Sequence, residues 1–592
     1  MDFFRFLFIS QVVPVREFSP EDQGGDDSYK KPVNYRGLYP SFPIMIHLQA
    51  GLLGLANHLL FHKYEPTDAI FGQAILLLLL EPLVLSFMSW TYSTGFVRLP
   101  PHQLVFSAYT TFYAILMTSI VLYRVSPFHP LAKVPGPISF KITKFAPLWY
   151  HWQGQQSSLF MSLHAQYGPV VRVAPNEISV ADVDAVGAVL GSGGLPKGAA
   201  YIRFRVVSGP ENLVTMNGDP HAARRRLWNR AMSTDALQEY ESIVASRAHE
   251  LVDALDAQIS TKGAVDMTQW LNFFSFDFMS DLGFAAGFNM MKEGDVHKLW
   301  PGLHLHMRGV CILSHLPWIP DIRNRLPWFT MPLWPIARKW SANRLRNPSQ
   351  KKDIWYHLMD EAGLEKVKPS LAEVGADAVL TVIAGADTTS CALAALFWLL
   401  LSHPECYKRL QQEIDVIYPS GSDPLDVSKH SQLRYLAACI QEALRLLPPA
   451  PVSGAREVPH GSGGTEIAGH FLPEGTQVWA PPKVFHLNPS YFSPRTDEFV
   501  PERWLNSKKD DDEENVFKND TNAFLAFSYG PANCAGRNLA RQEMMMVMSI
   551  LLQTFDFRFA DGFDWEKWPE RLTTFFVTIR PPIEVSITRR GL

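Results

Sequence analysis

The sequence is poor in cysteine, with 5 in 592 residues: Cys311, Cys391, Cys406, Cys439 and Cys534. They are odd in number and widely spaced, and none forms a C-x-x-C pair. That excludes a disulfide framework and a zinc cluster, and a reducing compartment fits. Charge of one sign is also missing. The 54 basic and 58 acidic residues leave a net charge of −4. A nucleic-acid binder shows a basic surplus, so no nucleic-acid partner is expected. There is no G-x-G-x-x-G fingerprint for a flavin or nicotinamide cofactor of the chain's own. No internal repeat is evident. What is abundant is core material, 47% hydrophobic and 12% aromatic, which argues against disorder. The length exceeds that of a usual single domain.

Long apolar runs are confined to the first 130 residues. Phe42 to Phe61, Ala69 to Trp90 and Leu104 to Tyr123 each approach the roughly 20 residues a spanning helix needs. The opening "MDFFRFLFISQVVPVREF" has no small-residue cleavage site and makes a poor secretory signal. Glu81 is costly in lipid unless it faces another helix or water. Arg124, Lys133, Lys141 and Lys144 follow the third run and favour a cytoplasmic start for the rest of the chain. The proline-rich hinge from Ser126 to Pro137 places a boundary. Residues 1–130 are expected to be a membrane anchor of up to three spans contacting lipid, and residues 131–592 a soluble domain.

The soluble part reads mainly α with a small β portion. "YGPVVRVAPNEISVAD", Tyr167 to Asp182, predicts two short strands around a turn at Pro175. From about Pro220 to Pro419 the apolar spacing is helical. Short strand-like pieces follow Ala450. The acidic run from Lys508 to Asn515 reads as a solvated loop.

Four stretches stand out. "AFSYGPANCAGRN", Ala526 to Asn538, wraps Cys534 in a bend before a helix. A helix start lowers a thiol's pKa, and Gly530, Pro531 and Gly536 allow a tight turn and close approach of a flat cofactor. Taken alone, the bend equally suits a buried structural cysteine. "AGADTTS", Ala384 to Ser390, puts an acid beside an alcohol inside a helix, a pair able to relay protons. Small residues for close helix packing, with Asp387 solvated, explain it as well. "EALR" places Glu442 and Arg445 on one helix face, and "FVPERW" adds Arg503. The plain alternative is a surface ion pair. "HAARRRLW" sets His221 and Arg225 four apart, with Arg224 and Arg226 on what reads as a solvated basic face. Arg456 lies in "SGAREV".

Together these stretches resemble the cytochrome P450 superfamily, over roughly Leu131 to Leu592. Phe527, Gly530, Cys534 and Gly536 match its haem-binding pattern F-x-x-G-x-R-x-C-x-G. Ala532 stands where arginine or histidine is usual. The resemblance implies the cytochrome P450 fold, haem b as cofactor, and Cys534 as the axial thiolate on its iron. Asp387 and Thr388 would deliver protons during oxygen activation, with Ala384 and Gly385 leaving room for oxygen and water. Glu442, Arg445 and Arg503 would form a structural triad. His221 and Arg225 match propionate-binding positions, and Arg456 is a further candidate that would offset Ala532. The implied activity is a membrane-bound monooxygenase, similar to fungal members of secondary metabolism or xenobiotic oxidation. Its electrons would come from NADPH through NADPH–cytochrome P450 reductase, docked near Cys534, Arg224 and Arg226. The implied place is the endoplasmic reticulum membrane, with the catalytic domain facing the cytosol. The expected substrate is a lipophilic terpenoid, steroid or polycyclic aromatic. It would be lined by the Gly198 to Val207 loop, Ile383, Val452, Phe575 and Phe576.

Overall fold

A computed structural model describes residues 42–63, 71–91, 100–204, 210–259, 263–316, 333–347, 352–505 and 517–591. The opening segment, residues 205–207 of the expected substrate loop, and the acidic run at 508–515 lie outside the described residues.

The three apolar runs are helices: α1 Phe42–Lys63, α2 Phe71–Thr91 and α3 Pro101–Val125. Each is long and apolar enough to cross a membrane. Their seam buries Ile46, Ala50, Leu85, Leu104, Ala108 and Phe112, while Leu48, Leu59, Leu76, Phe87 and Phe106 point outward. Pro82 lies inside α2 and cannot donate to the Leu78 carbonyl. The Tyr113 hydroxyl of α3 donates there instead, at 3.2 Å. Glu81 accepts from the buried Asn57 amide of α1, which answers the cost its charge poses in an apolar run.

The end of α3 is fastened to the chain that follows it. Arg124 donates to the Ile142 carbonyl at 2.6 Å. Arg172, fully buried, donates to the Arg124 carbonyl at 3.2 Å and to Pro175, and its Nη2 lies 3.1 Å from His129 Nε2. Helix α4, Phe145–Trp152, exposes Phe145, Trp149 and Trp152, and α5 spans Gln156–Tyr167. Strands β1, Val170–Ala174, and β2, Glu177–Val180, form the expected antiparallel pair around Pro175.

The helical body contains α6 Gly218–Ala231, α7 Thr234–Ile259, α8 Met267–Phe284, α9 Leu299–Ser314, α10 Leu371–Ser402 and α11 Arg434–Leu446. Strands β3, Arg456–Glu457, and β4, Gln477–Trp479, complete a four-stranded sheet in the order β1-β2-β4-β3. Then come α12 Arg537–Thr554 and a hairpin of β5 Thr573–Phe575 and β6 Val577–Ile579.

Helix α10 is a fourth long apolar helix, but it is core. It starts on a capping box between Ser370 and Glu373 and is buried over most of its 32 residues. It also carries Glu373, Asp377 and Asp387, which a lipid-facing span would not tolerate. It packs closely on α8. A Cβ at Gly385 would strike Met279 Cε at 2.3 Å, so this glycine serves the helix crossing. The expectation that Gly385 leaves room for oxygen and water is therefore corrected: Met279 takes that space.

Candidate active site

The cysteine bend is held by its own backbone. Cys534 N–H donates to the Phe527 carbonyl at 2.9 Å, and Asn533 N–H to Gly530 at 3.1 Å. Gly530 has φ +69°, and a Cβ there would meet the Leu190 carbonyl at 2.1 Å, so only glycine fits. Gly536 is different. Its φ of −84° suits any residue, and it is the N-cap of α12. The turn does not need it, contrary to expectation. A Cβ there would meet nothing within 4 Å, so its smallness keeps a face beside Cys534 clear.

Cys534 is the exposed cysteine; Cys311, Cys391 and Cys439 are buried. Crowding by surrounding protein atoms nonetheless pushes its thiol's pKa up, against the pull of the Gly536 N–H, Arg225 and Arg537. The expected lowering by the helix start is outweighed. A coordinating metal reverses this balance, because it deprotonates the thiol outright. Phe527 is half-buried with the Arg541 guanidinium 5.4 Å over its ring.

Around the bend lies a set of cations. Arg225 clamps the loop, donating to the Asn533 carbonyl at 2.5 Å and its Oδ1 at 2.6 Å. His221 and Arg456 are buried, and His221 Nε2 and Arg456 Nε have no hydrogen-bond partner. A residue the motif reading missed joins them. Lys197 pairs with Arg456 through a β-bridge and donates from Nζ to the Leu213 and Met216 carbonyls at 2.8 and 3.0 Å. Its pKa falls to about 7, through burial first and then repulsion by Arg456 and Arg225. His221 falls to about 4, through burial and then Lys197, Arg225 and Arg456. No carboxylate enters either balance. Basic groups gathered this way are a cradle for anions, and haem propionates fit it. The only sequence signal for Lys197 was a lysine amid the apolar "GGLPKGAAY".

Arg224 corrects an expectation. It is buried, paired with Glu373 at 2.7 Å and Asp377 at 3.4 Å on α10. Arg226 is exposed as expected and reaches Glu365 at 3.2 Å.

On α10, Asp387 is buried rather than solvated. Arg580 Nη1 donates to it at 3.0 Å, and Arg580 Nη2 bonds Asn272 of α8 and Ser390. Thr388 is half-buried and bonds its own helix, Oγ1 to the Ala384 carbonyl at 2.6 Å. Ala384 is exposed in the middle of this buried helix. Successive residues differ by about 100° around a helix, so Asp387 and Thr388 look different ways. Nothing local in the sequence announced Arg580 or Asn272.

The carboxylate of Glu442 gathers five donors. They are Arg445 Nε and Nη2 at 2.9 and 2.8 Å, Arg503 Nε at 3.1 Å, Trp504 Nε1 at 2.8 Å and Val500 N at 3.1 Å. All three charged residues are buried. His486, also missed, links them to the cysteine loop. Arg445 Nη1 donates to its carbonyl at 2.9 Å, and its Nε2 accepts from Leu525 N–H at 2.8 Å. Of the expected pocket residues, Val452 and Phe575 are buried, and Phe576 packs on Phe204 at 4.7 Å.

Residues 135–587 match the family model described as Cytochrome P450. The chain is 32% identical to "Cytochrome P450 67" of Uromyces fabae, over 91% of this chain and 99% of that protein. That match runs into the helical region before Leu131. The chain is also 32% identical to "Cytochrome P450 monooxygenase FCK2" of Fusarium pseudograminearum, over 80% of this chain and 85% of that one. It is 30% identical to "Trichothecene C-15 hydroxylase" of Fusarium sporotrichioides, over 80% and 95%. Read with the helical fold and the Cys534 bend, these matches mean that the chain belongs to the cytochrome P450 family and is a P450 monooxygenase.

Proposed function

We propose that the protein is a membrane-anchored haem-thiolate enzyme that hydroxylates a lipophilic small molecule of fungal secondary metabolism. The substrate is a terpenoid, a steroid or a polycyclic aromatic, and one relative is named for hydroxylating a trichothecene. The observation that carries the reading is the exposed Cys534 beside a cluster of basic groups whose charge no acid among the described residues offsets. Cys534 would supply the thiolate that binds the haem iron, Phe527 and Gly536 would border the haem, and His221, Arg225, Arg456 and Lys197 would hold its propionates. Lys197 takes the part that a basic residue at Ala532 plays elsewhere. Glu442, Arg445 and Arg503 hold the shape of the cysteine loop through His486.

When bound, haem supplies the activation of dioxygen: two electrons and two protons enter, one oxygen atom goes to the substrate and the other leaves as water. Thr388 lies beside the open Ala384 face, and its hydroxyl, once turned away from the Ala384 carbonyl, donates a hydrogen bond on that side. Asp387 supplies protons to it from behind, once it loosens from Arg580. Val452, Phe575 and Phe576 give an apolar wall that orients the substrate and excludes water. Electrons from NADPH arrive through NADPH–cytochrome P450 reductase, docked near Cys534 and Arg226. Residues 1–130 anchor the enzyme in the endoplasmic reticulum, and residues 131–592 face the cytosol.

The test is the carbon monoxide difference spectrum of the reduced, membrane-expressed protein beside Cys534→Ala. A strongly red-shifted Soret band, lost in the variant, is expected. Folded protein without haem absorption sinks the reading. A screen of terpenoids with reductase and NADPH then identifies the substrate.

A further inference from the structure

A cavity of about 270 Å³ lies between the start of α5, the middle of α10, the end of α11 and the β5–β6 hairpin. None of Cys534, Lys197, His221, Arg225 or Arg456 lines it, so it is separate from the cysteine site. Its size is just under that of common ligand pockets, which start near 300 Å³. The lining is mixed. Ala395 and Leu447 are apolar, and Ser157, Lys483 and Arg580 are polar.

Two buried donors on this lining are unspent. Ser157 and Arg580 are both more than nine-tenths buried, yet Ser157 Oγ and Arg580 Nε have no hydrogen-bond partner. Buried polar atoms of this kind call for a partner from outside the chain. Lys483, half-buried on the same lining, adds a second cation, and burial lowers its pKa. The one acid on the lining, Glu570, is exposed at the rim. Arg580 meanwhile holds Asp387 through Nη1, so the cavity is one side chain away from that acid.

We infer that this cavity is a binding site for a small amphipathic carboxylate. Its anionic end meets Lys483, Ser157 and Arg580 Nε, and its apolar end lies on Ala395 and Leu447. Water alone would satisfy Ser157 and Arg580 but would leave Lys483 without a counter-charge. The carboxylate belongs either to the substrate itself or to a separate effector.

The experiment is a calorimetric titration of the full-length holoenzyme in nanodiscs with 3-phenylpropionate and, in parallel, neutral 3-phenylpropanamide. Empty nanodiscs correct for partition into lipid. The acid should bind saturably, at least tenfold tighter than the amide. Lys483→Met should remove that preference and Lys483→Arg should keep it. Ala395→Leu fills the cavity and should abolish binding of the acid even if the lysine variants fail to fold. A Soret shift during titration assigns the carboxylate to the substrate, and binding without a shift assigns it to an effector. Equal binding of acid and amide overturns the inference, as does an acid preference that survives both Lys483→Met and Ala395→Leu. Calorimetry reads binding whether or not the monooxygenase reading holds, so the two fail separately.

Discussion

Asp387 and Arg580 are 193 residues apart in the chain and 3.0 Å apart in space. Both are buried, so each charge depends on the other. Arg580→Leu should strand the carboxylate and cost about 3–5 kcal/mol, read as a lowered unfolding midpoint. Asp387→Asn should cost less, because Arg580 keeps Asn272 and Ser390. A loss in Arg580→Leu no larger than that of a surface ion pair, about 1 kcal/mol or below, would show that Asp387 is solvated after all. Lys197 makes a second prediction at this scale. Its folded pKa, about 7, lies below the 10.5 of an unfolded lysine. Between those values the unfolded chain holds a proton that the folded chain has released. Haem-free protein should therefore gain stability from pH 7 to 10 in urea unfolding, and the full penalty should apply below about 7. Lys197→Met should flatten that rise, and so should a bound anion.

Helices α4 and α9 meet through aromatic and basic side chains. His151 of α4 and His315, just past α9, lie with ring centroids 3.8 Å apart, and His315 stacks on Trp479 at 5.6 Å. Arg308 of α9 donates to the Trp152 carbonyl at 3.2 Å. Both histidines are buried among Lys144, Glu177 and Phe160, and their pKa values fall, that of His315 to about 3. Burial is the main cause in each. The unfolded chain takes up these protons near pH 6.5, while the folded chain resists. The contact is thus fully stable above about 6.5 and loses stability as the pH falls toward 3. Protection factors in α4, corrected for the intrinsic exchange rate at each pH, should be lower at pH 5 than at pH 7. His315→Phe should remove that acid step, and an unchanged step would place its origin elsewhere.

At the scale of the molecule, α3 is bolted to the catalytic domain by Arg124 and Arg172. Anchor and domain should therefore move as one body. Protease added to sealed membrane vesicles should digest residues 131–592 from the cytosolic side and leave residues 42–125 protected except at their loops. Protection of the catalytic domain would reverse the orientation. The aromatic face of α4 lies close to this junction, where tryptophans favour a membrane–water boundary.

Much of this was legible along the chain, and the reason is locality. Apolar runs of spanning length, the β1–β2 turn, the bend at Cys534, and Glu442 three residues before Arg445 are patterns within a few neighbouring residues. Backbone hydrogen bonding and helix periodicity turn such patterns directly into elements. What only the tertiary structure decided is which way buried charges turn and who meets them. Arg224 faces α10 and not solvent, Gly385 admits Met279, Asp387 meets Arg580, and Lys197 joins His221 and Arg456. Those outcomes depend on desolvation and close packing between segments far apart in sequence, and neither leaves a mark in local spacing.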